Sequence, residues 1–210
     1  MKVELLNKLG TDLTVVNAAR VSFKNHREKF LSSDINLIKY LARRKHWTPF
    51  AQPQLQFRIS APIFIARELS KHQVGLSWNE ISIAYVDDVP HCYLPDDWRK
   101  KPKDTKQGSS EEMVELSLDD IQYVSDTHMN ALGLYERLRG KGVDPEQARM
   151  VLPQSTYTQW YWSGSLYAFS RVCKIHLSED NPTKEIHKIV QQINDLCANK
   201  FPISWTYLLK

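Results

Sequence analysis

The stretch QLQFRISAPIFIAREL, from Gln54 to Leu69, constrains this chain more than any other. Residues 54–60 alternate polar and apolar, the period of a half-buried strand. Pro62 then suits the first turn of a helix, where its missing N–H costs nothing. A chain that changes period within so few residues must build a sheet and set helices on it. Residues 2–8 read as another strand. Asp34 reads as the cap of a helix to about Lys45, because Ile35, Ile38, Leu41 and Ala42 share a face. Ser117 reads as the cap of a long helix to about Arg139, stopped by Gly140 and Gly142. Asp144 with Pro145 opens a further helix, and two more span residues 165–176 and Thr183 to Asn199. Strands and helices come in mixed order, so the fold class is α+β rather than doubly wound. A chain of 210 residues is read as a single domain, 1–210.

Composition removes several classes of function. The net charge of +4 is too small to argue for nucleic acid, and no Lys/Arg run marks a binding arm. No apolar run approaches the length of a membrane span, and the start has no signal-peptide core. The expected location is the cytoplasm. Cys92, Cys173 and Cys197 lie far apart with no CxxC, and read as free buried thiols rather than disulfide or zinc partners. There is no GxGxxG, Walker loop, HExxH or GxSxG. Any nucleotide cofactor is therefore held by something other than a Rossmann turn. The polar residues 101–116 read as a surface loop.

Four local clusters remain as candidates for chemistry. His46 stands with Thr48 in KHWTPF; a histidine beside Trp47 is also an ordinary packed or surface residue. Arg149, in EQARMVLP, precedes Gln154, Tyr157 and Thr158, and is equally readable as a surface charge. Arg171, Lys174 and His176 are readable as a solvated helix face. Met150, Trp160, Tyr161, Trp162 and Phe169 read as core. The fourth cluster, SKHQVGLSWNEIS from Ser70 to Ser82, is harder to explain structurally. Its apolar residues keep neither period. Asn79, Glu80 and Ser82 bring amide, carboxylate and hydroxyl together just after His72 and Gly75. Converging donors and acceptors beside an apolar helix are what a polar small-molecule site requires.

AARVSF (18–23), HWTPF, PIFIARELSKHQVGLSWNEIS and ARMVLP stand in the order found in flavin-dependent thymidylate synthases, which the chain resembles from about residue 15 to about residue 200. Lys71-His72-Gln73 takes the place of the family's Arg-His-Arg, and the spacing to Ser82 is one residue longer. This version is similar to a branch often carried by bacteriophages, in which case the cytoplasm is the host's. The resemblance implies an antiparallel sheet flanked by helices and a homotetramer with sites built from several chains. It implies FAD, reduced by NADPH, and methylenetetrahydrofolate as the donor that methylates C5 of dUMP. No cysteine nucleophile is needed, so a faint echo of one in Cys92 beside His91 carries little weight.

The resemblance also implies roles. His46, Lys71, His72 and Gln73 map to flavin contacts, with Asn79 and Glu80 holding the flavin side of the motif. Arg149, Ser82 and Glu80 map to the nucleotide site, and Arg67 to positioning. Several positions depart from the pattern. Ala84 replaces a nucleotide-contacting arginine, Gln52 stands where histidine is common, and Pro182-Thr183 replaces Ala-Gln. Ile175-His176 replaces Leu-Arg. A protonated His176 would donate to N3 of cytosine, whereas an arginine would steady charge on uracil. Three functions follow: dUMP methylation, methylation or hydroxymethylation of another pyrimidine nucleotide such as dCMP, and an inactive flavin- or nucleotide-binding subunit.

Overall fold

A computed structural model describes residues 1–82, 90–101, 110, 112–178 and 184–210. It is an α+β fold, an antiparallel sheet flanked by helices. The sheet has four strands in the spatial order β1 (Lys2–Leu9), β2 (Gln54–Pro62), β4 (Tyr157–Ser165), β3 (Leu76–Glu80). Two compact units divide the chain: residues 1–59, 72–79 and 161–210 form the first, and 60–71 with 80–160 the second. Among the described residues, no helix is long and apolar enough to cross a membrane.

In the first unit the period-two pattern of β2 turns Leu55, Phe57 and Ile59 inward. Phe57 meets Phe169 edge-on at 4.9 Å, Phe169 meets Trp162 at 5.3 Å, and Trp162 meets Trp78 at 5.6 Å. Each such ring pair contributes about 0.5–1.5 kcal/mol beyond its buried area. Helices α1 (Asp12–Arg20), α2 (Ser32–Arg43), α6 (Leu166–His176), α7 (Lys184–Lys200) and α8 (Pro202–Leu209) complete the unit. Val15, Ile38, Leu41, Val172, Ile189, Ile193 and Trp205 are among its buried side chains.

The sequence reading misses α1 and α8, and one residue ties them. The Asp12 carboxylate accepts from the backbone N–H of Ile203 (3.1 Å) and Ser204 (2.8 Å), at the start of α8. It satisfies amides that a helix N-terminus leaves unpaired. Asp34 is not the cap of α2 but its third residue, and it is fully buried. Its carboxylate accepts from Leu31 N and from the Arg20 guanidinium, both at 2.9 Å. Asn17 clamps the Arg27 backbone through both amide atoms. The AARVSF arginine is thus engaged in holding the connection between α1 and α2.

Part of the polar stretch is regular after all. Leu76 and Trp78 are half-buried while Ser77 and Asn79 face out, so Leu76–Glu80 keeps period two and forms β3. Four residues are too few to show that period against the surrounding noise. Gly75 precedes the strand at φ +76°, a conformation that L side chains rarely adopt. Ser165 N donates to the Gly75 carbonyl at 3.3 Å. A Cβ on Gly164 would strike that carbonyl oxygen and sit 2.5 Å from Leu76 Cδ2.

In the second unit α3 (Ile63–Leu69) buries Ile65, Ala66 and Leu69. Pro62 is the last residue of β2 and the extended N-cap of α3, one place earlier than expected. Ser117 caps α4 (Leu118–Gly140) as expected; Gly140 lies inside the helix and the chain reverses at Gly142, φ +79°. Asp144 caps α5 (Pro145–Ala148) through Glu146 N. The expected loop 101–116 lies partly outside the described residues; Met113, within it, pairs with Arg99, just before it, in an antiparallel bridge. Cys173 and Cys197 are buried, but Cys92 is half-exposed. Met150 and Tyr161 are exposed, not core; Trp160, Trp162 and Phe169 are buried as expected.

Gly164→Ala should lower stability by about 1–3 kcal/mol, the cost of overpacking. Gly133→Ala, in α4 with nothing within 4 Å of a new Cβ, should be neutral or stabilising. Urea midpoints of the two variants measure the contrast.

Candidate active site

In the first unit the site grows from α6. Ser165 caps this helix, its hydroxyl accepting from Ala168 N at 3.1 Å. The helix brings His176 into its last turn, 3% exposed. His176 Nε2 lies 2.8 Å from His72 Nε2, with the rings 5.0 Å apart and nearly perpendicular. Of two neutral imidazoles so joined, one donates and the other accepts. Burial, and then the neighbouring His72, lower the pKa of His176 to about 4. The residue is therefore neutral at pH 7. This corrects the expectation of a protonated His176 that donates to cytosine N3. Arg171 and Lys174 are exposed on another face of α6, so the expected three-residue cluster splits.

Gln73 and Asn79 bracket the same segment and are exposed; among the described residues their side chains take no hydrogen-bond partner. His46 is exposed and lies edge-on to Tyr40 at 6.1 Å. It lines a cleft of about 660 Å³ whose walls include Trp47 and Tyr167. Those two rings stand 5.9 Å apart at 35°.

In the second unit Glu80 Oε1 accepts from the Thr158 hydroxyl at 2.8 Å. Ile81 N donates to Gln159 O at 2.8 Å, which carries strand pairing one residue past β3. Ser82 follows, half-exposed. Ala84 lies outside the described residues, as do Pro182 and Thr183. Arg149 follows α5, and its guanidinium pairs with Glu146 at 2.6 Å. Arg67 and Lys71 are exposed, at α3 and just past its end.

The expected cluster behind Arg149 disperses. Gln154 is exposed, Thr158 is buried on Glu80, and Tyr157 stacks on His91 at 4.4 Å. The structure thus joins His72 to His176 and Glu80 to Thr158. Neither pairing is visible in the sequence, where the partners stand 104 and 78 positions apart. Thr158 did appear among the candidates, but only beside Arg149. Burial holds the Cys173 and Cys197 thiols protonated, well above the usual thiol range. They are not nucleophiles.

The sequence profile of one family, described as thymidylate synthase complementing protein, matches residues 4–203. A flavin-dependent thymidylate synthase from Thermus thermophilus is 34% identical over 203 residues, 97% of this chain and 73% of that protein. One from Thermosipho melanesiensis is 35% identical over 207 residues, 98% of this chain and 88% of that protein. Among solved structures, a UMP/dUMP methylase, PolB from Streptomyces cacaoi bound with 5-Br dUMP, superposes with a TM-score of 0.85. It is 30% identical, and the match covers 98% of this chain and 93% of that one. The chain belongs to the thymidylate synthase complementing protein family, and it is an enzyme of that type.

An unfolded histidine takes up a proton near pH 6.5, the folded His176 near 4. Between those values the unfolded chain binds the extra proton, so stability falls as pH falls through this window. From pH 7 to pH 4 the loss from this group should be up to about 3 kcal/mol. His176→Gln should flatten that slope, as urea unfolding at a series of pH values measures.

Proposed function

We propose that this enzyme methylates C5 of a pyrimidine deoxynucleotide, dUMP to dTMP, with FAD, NADPH and methylenetetrahydrofolate. The observation that carries the reading is the segment from His72 to Asn79 in the first unit. It leaves the Gln73 and Asn79 side chains facing outward, without partners among the described residues. Membership of the family, and the names of the flavin-dependent relatives and the UMP/dUMP methylase, support the choice of reaction.

The residues present fit a flavin. Its diphosphate calls for cationic and amide donors, which Lys71 and Gln73 supply. Its flat ring calls for aromatic and imidazole neighbours, and His46 stands in the cleft beside Trp47 and Tyr167. His46, Lys71, His72, Gln73 and Asn79 are the residues that would hold it. Bound there, reduced flavin supplies the hydride that completes the methyl group.

The other roles fall to the chain's own groups. Arg149 takes the nucleotide phosphate, exchanging its exposed Glu146 partner for a dianion. The Thr158 hydroxyl fixes the Glu80 carboxylate, which orients the base or ribose. The Ser82 hydroxyl and Arg67 position the same nucleotide. No thiol attacks the ring. Exposed Phe23, Val74, Leu118 and Met150 are the apolar surfaces that a homotetramer would cover.

One observation favours a second reading. His176 stands where the family's arginine is expected and is neutral, so the nucleotide loses a fixed cation there. A neutral imidazole donates or accepts according to its tautomer. Cytosine is then less disfavoured than it would be by an arginine, and dCMP becomes the alternative substrate, with a methyl or hydroxymethyl product.

The purified protein should be yellow, or become so on adding FAD. With NADPH and methylenetetrahydrofolate it should convert dUMP, and not dCMP, to a product of the mass of dTMP. A colourless protein that takes up no flavin would refute the reading. Arg149→Lys should lower kcat/KM for dUMP by about ten- to a hundredfold, since an ammonium cannot replace the bidentate fork. His176→Arg should raise the preference for dUMP over dCMP; an unchanged ratio removes this residue from base selection.

A further inference from the structure

The cleft beside His46 gathers an unusual set of charges. Lys39, Arg43, Lys45, Arg171, Lys174 and Lys210 all line it, and no Asp or Glu stands among its described lining residues. None of the six has a carboxylate partner among the described residues. Elsewhere in the chain Arg20, Arg58, Lys100 and Arg149 each take one. Six cations without a carboxylate partner around one concavity repel one another, and a polyanion relieves that repulsion.

The lining also says what kind of polyanion. No glycine contributes, so there is no backbone cradle of the sort that holds a diphosphate. α2 presents Lys39 to Arg43 and α8 presents Tyr207 and Leu208, the C-terminal halves of both helices. Helix C-termini repel anions, so the attraction comes from side chains alone. Four of the six are lysines, point charges on flexible stems rather than the planar forks that clamp phosphate. They come from α2, the turn after it, α6 and the chain end, spreading charge instead of focusing it. Trp47 and Tyr167 add flat apolar walls.

We propose that this cleft seats the oligo-γ-glutamate tail of the folate donor, a flexible chain of carboxylates attached to an aromatic amide. The proposal rests on the reading that a folate is the one-carbon donor. Each glutamate beyond the first finds a cation within the cleft, on the charged side away from the Trp47–Tyr167 wall. Longer tails then bind more tightly, and salt erodes the gain. The competing account is that Arg43 and Lys210 merely offset the carbonyl ends of α2 and α8, which predicts an effect on stability and none on tail length.

The test is a tryptophan-fluorescence titration of the purified protein with pteroylmonoglutamate and pteroylpentaglutamate. At low salt the pentaglutamate should bind at least about tenfold more tightly, from several screened ion pairs acting together. Raising salt to about 0.3 M should bring the ratio within about threefold. The variant Lys39→Gln/Lys174→Gln, at two exposed positions, should do the same while monoglutamate affinity stays unchanged. A ratio near one in the native protein, or a ratio that survives in the variant, overturns the proposal. So does a lowered melting temperature of the variant with the ratio intact. If NADPH displaces the pentaglutamate and NADH does not, the cleft serves a nucleotide phosphate and the proposal falls. Turnover of dUMP with the monoglutamate donor, run in parallel, reports on the reaction itself. Turnover with a ratio near one removes the tail site alone; no turnover with the ratio intact removes the methylation reading and leaves the cleft.

Discussion

The close approach of Gly164 to the Gly75–Leu76 backbone is the constraint on which the first unit's site depends. With no side chain at position 164, the Gly75 carbonyl reaches the β4 end and accepts from Ser165 N. The same Ser165 caps α6. One short stretch therefore sets where β3 begins and where α6 starts. Through them it sets where His72 and His176 stand. Gly75, at φ +76°, supplies the turn that makes this approach possible.

Polar groups are partitioned by task. Asp12, Asp34 and Arg20 are spent on backbone amides and on one another, deep enough that losing a partner would leave a buried charge. Gln73 and Asn79 are left outward without hydrogen-bond partners, and the six cleft cations without carboxylate partners, among the described residues. The first set holds the fold, and the second is available to ligands. The His72–His176 pair belongs to neither class alone: His176 is buried like the first and His72 half-buried, and the pair joins the motif segment to the helix that lines the cleft. The neutral His176 imidazole makes a directional contact with His72 there without adding a fixed charge of its own.

Much of the architecture was legible. β1, β2, α4, α5, α6 and α7 follow from period and caps, because a half-buried strand or an amphipathic helix writes its period into its own residues. α8 was not legible: PISWTYLL is apolar around much of its circumference, and its N-terminal amides are satisfied by Asp12, some 190 positions away. β3 was hidden because four alternating residues sit inside a longer aperiodic run. Of the candidate site, the SKHQVGLSWNEIS segment stood out by its density of polar groups, and Gln73 and Asn79 in it are exposed. His176 was singled out, but its charge state was misjudged, because burial is not a property of the residue type.

By itself the sequence determined which segments alternate, which residues cap helices, that α+β is the fold class, and which polar motif to watch. These depend on neighbours along the chain. Only the tertiary structure decided that His176 is neutral against His72, that Glu80 leans on Thr158, that AARVSF serves the fold through Asp34, and that cations from α2, α6 and the chain end share one cleft. Each of these depends on desolvation and on contacts between distant segments, which packing creates and no local pattern encodes.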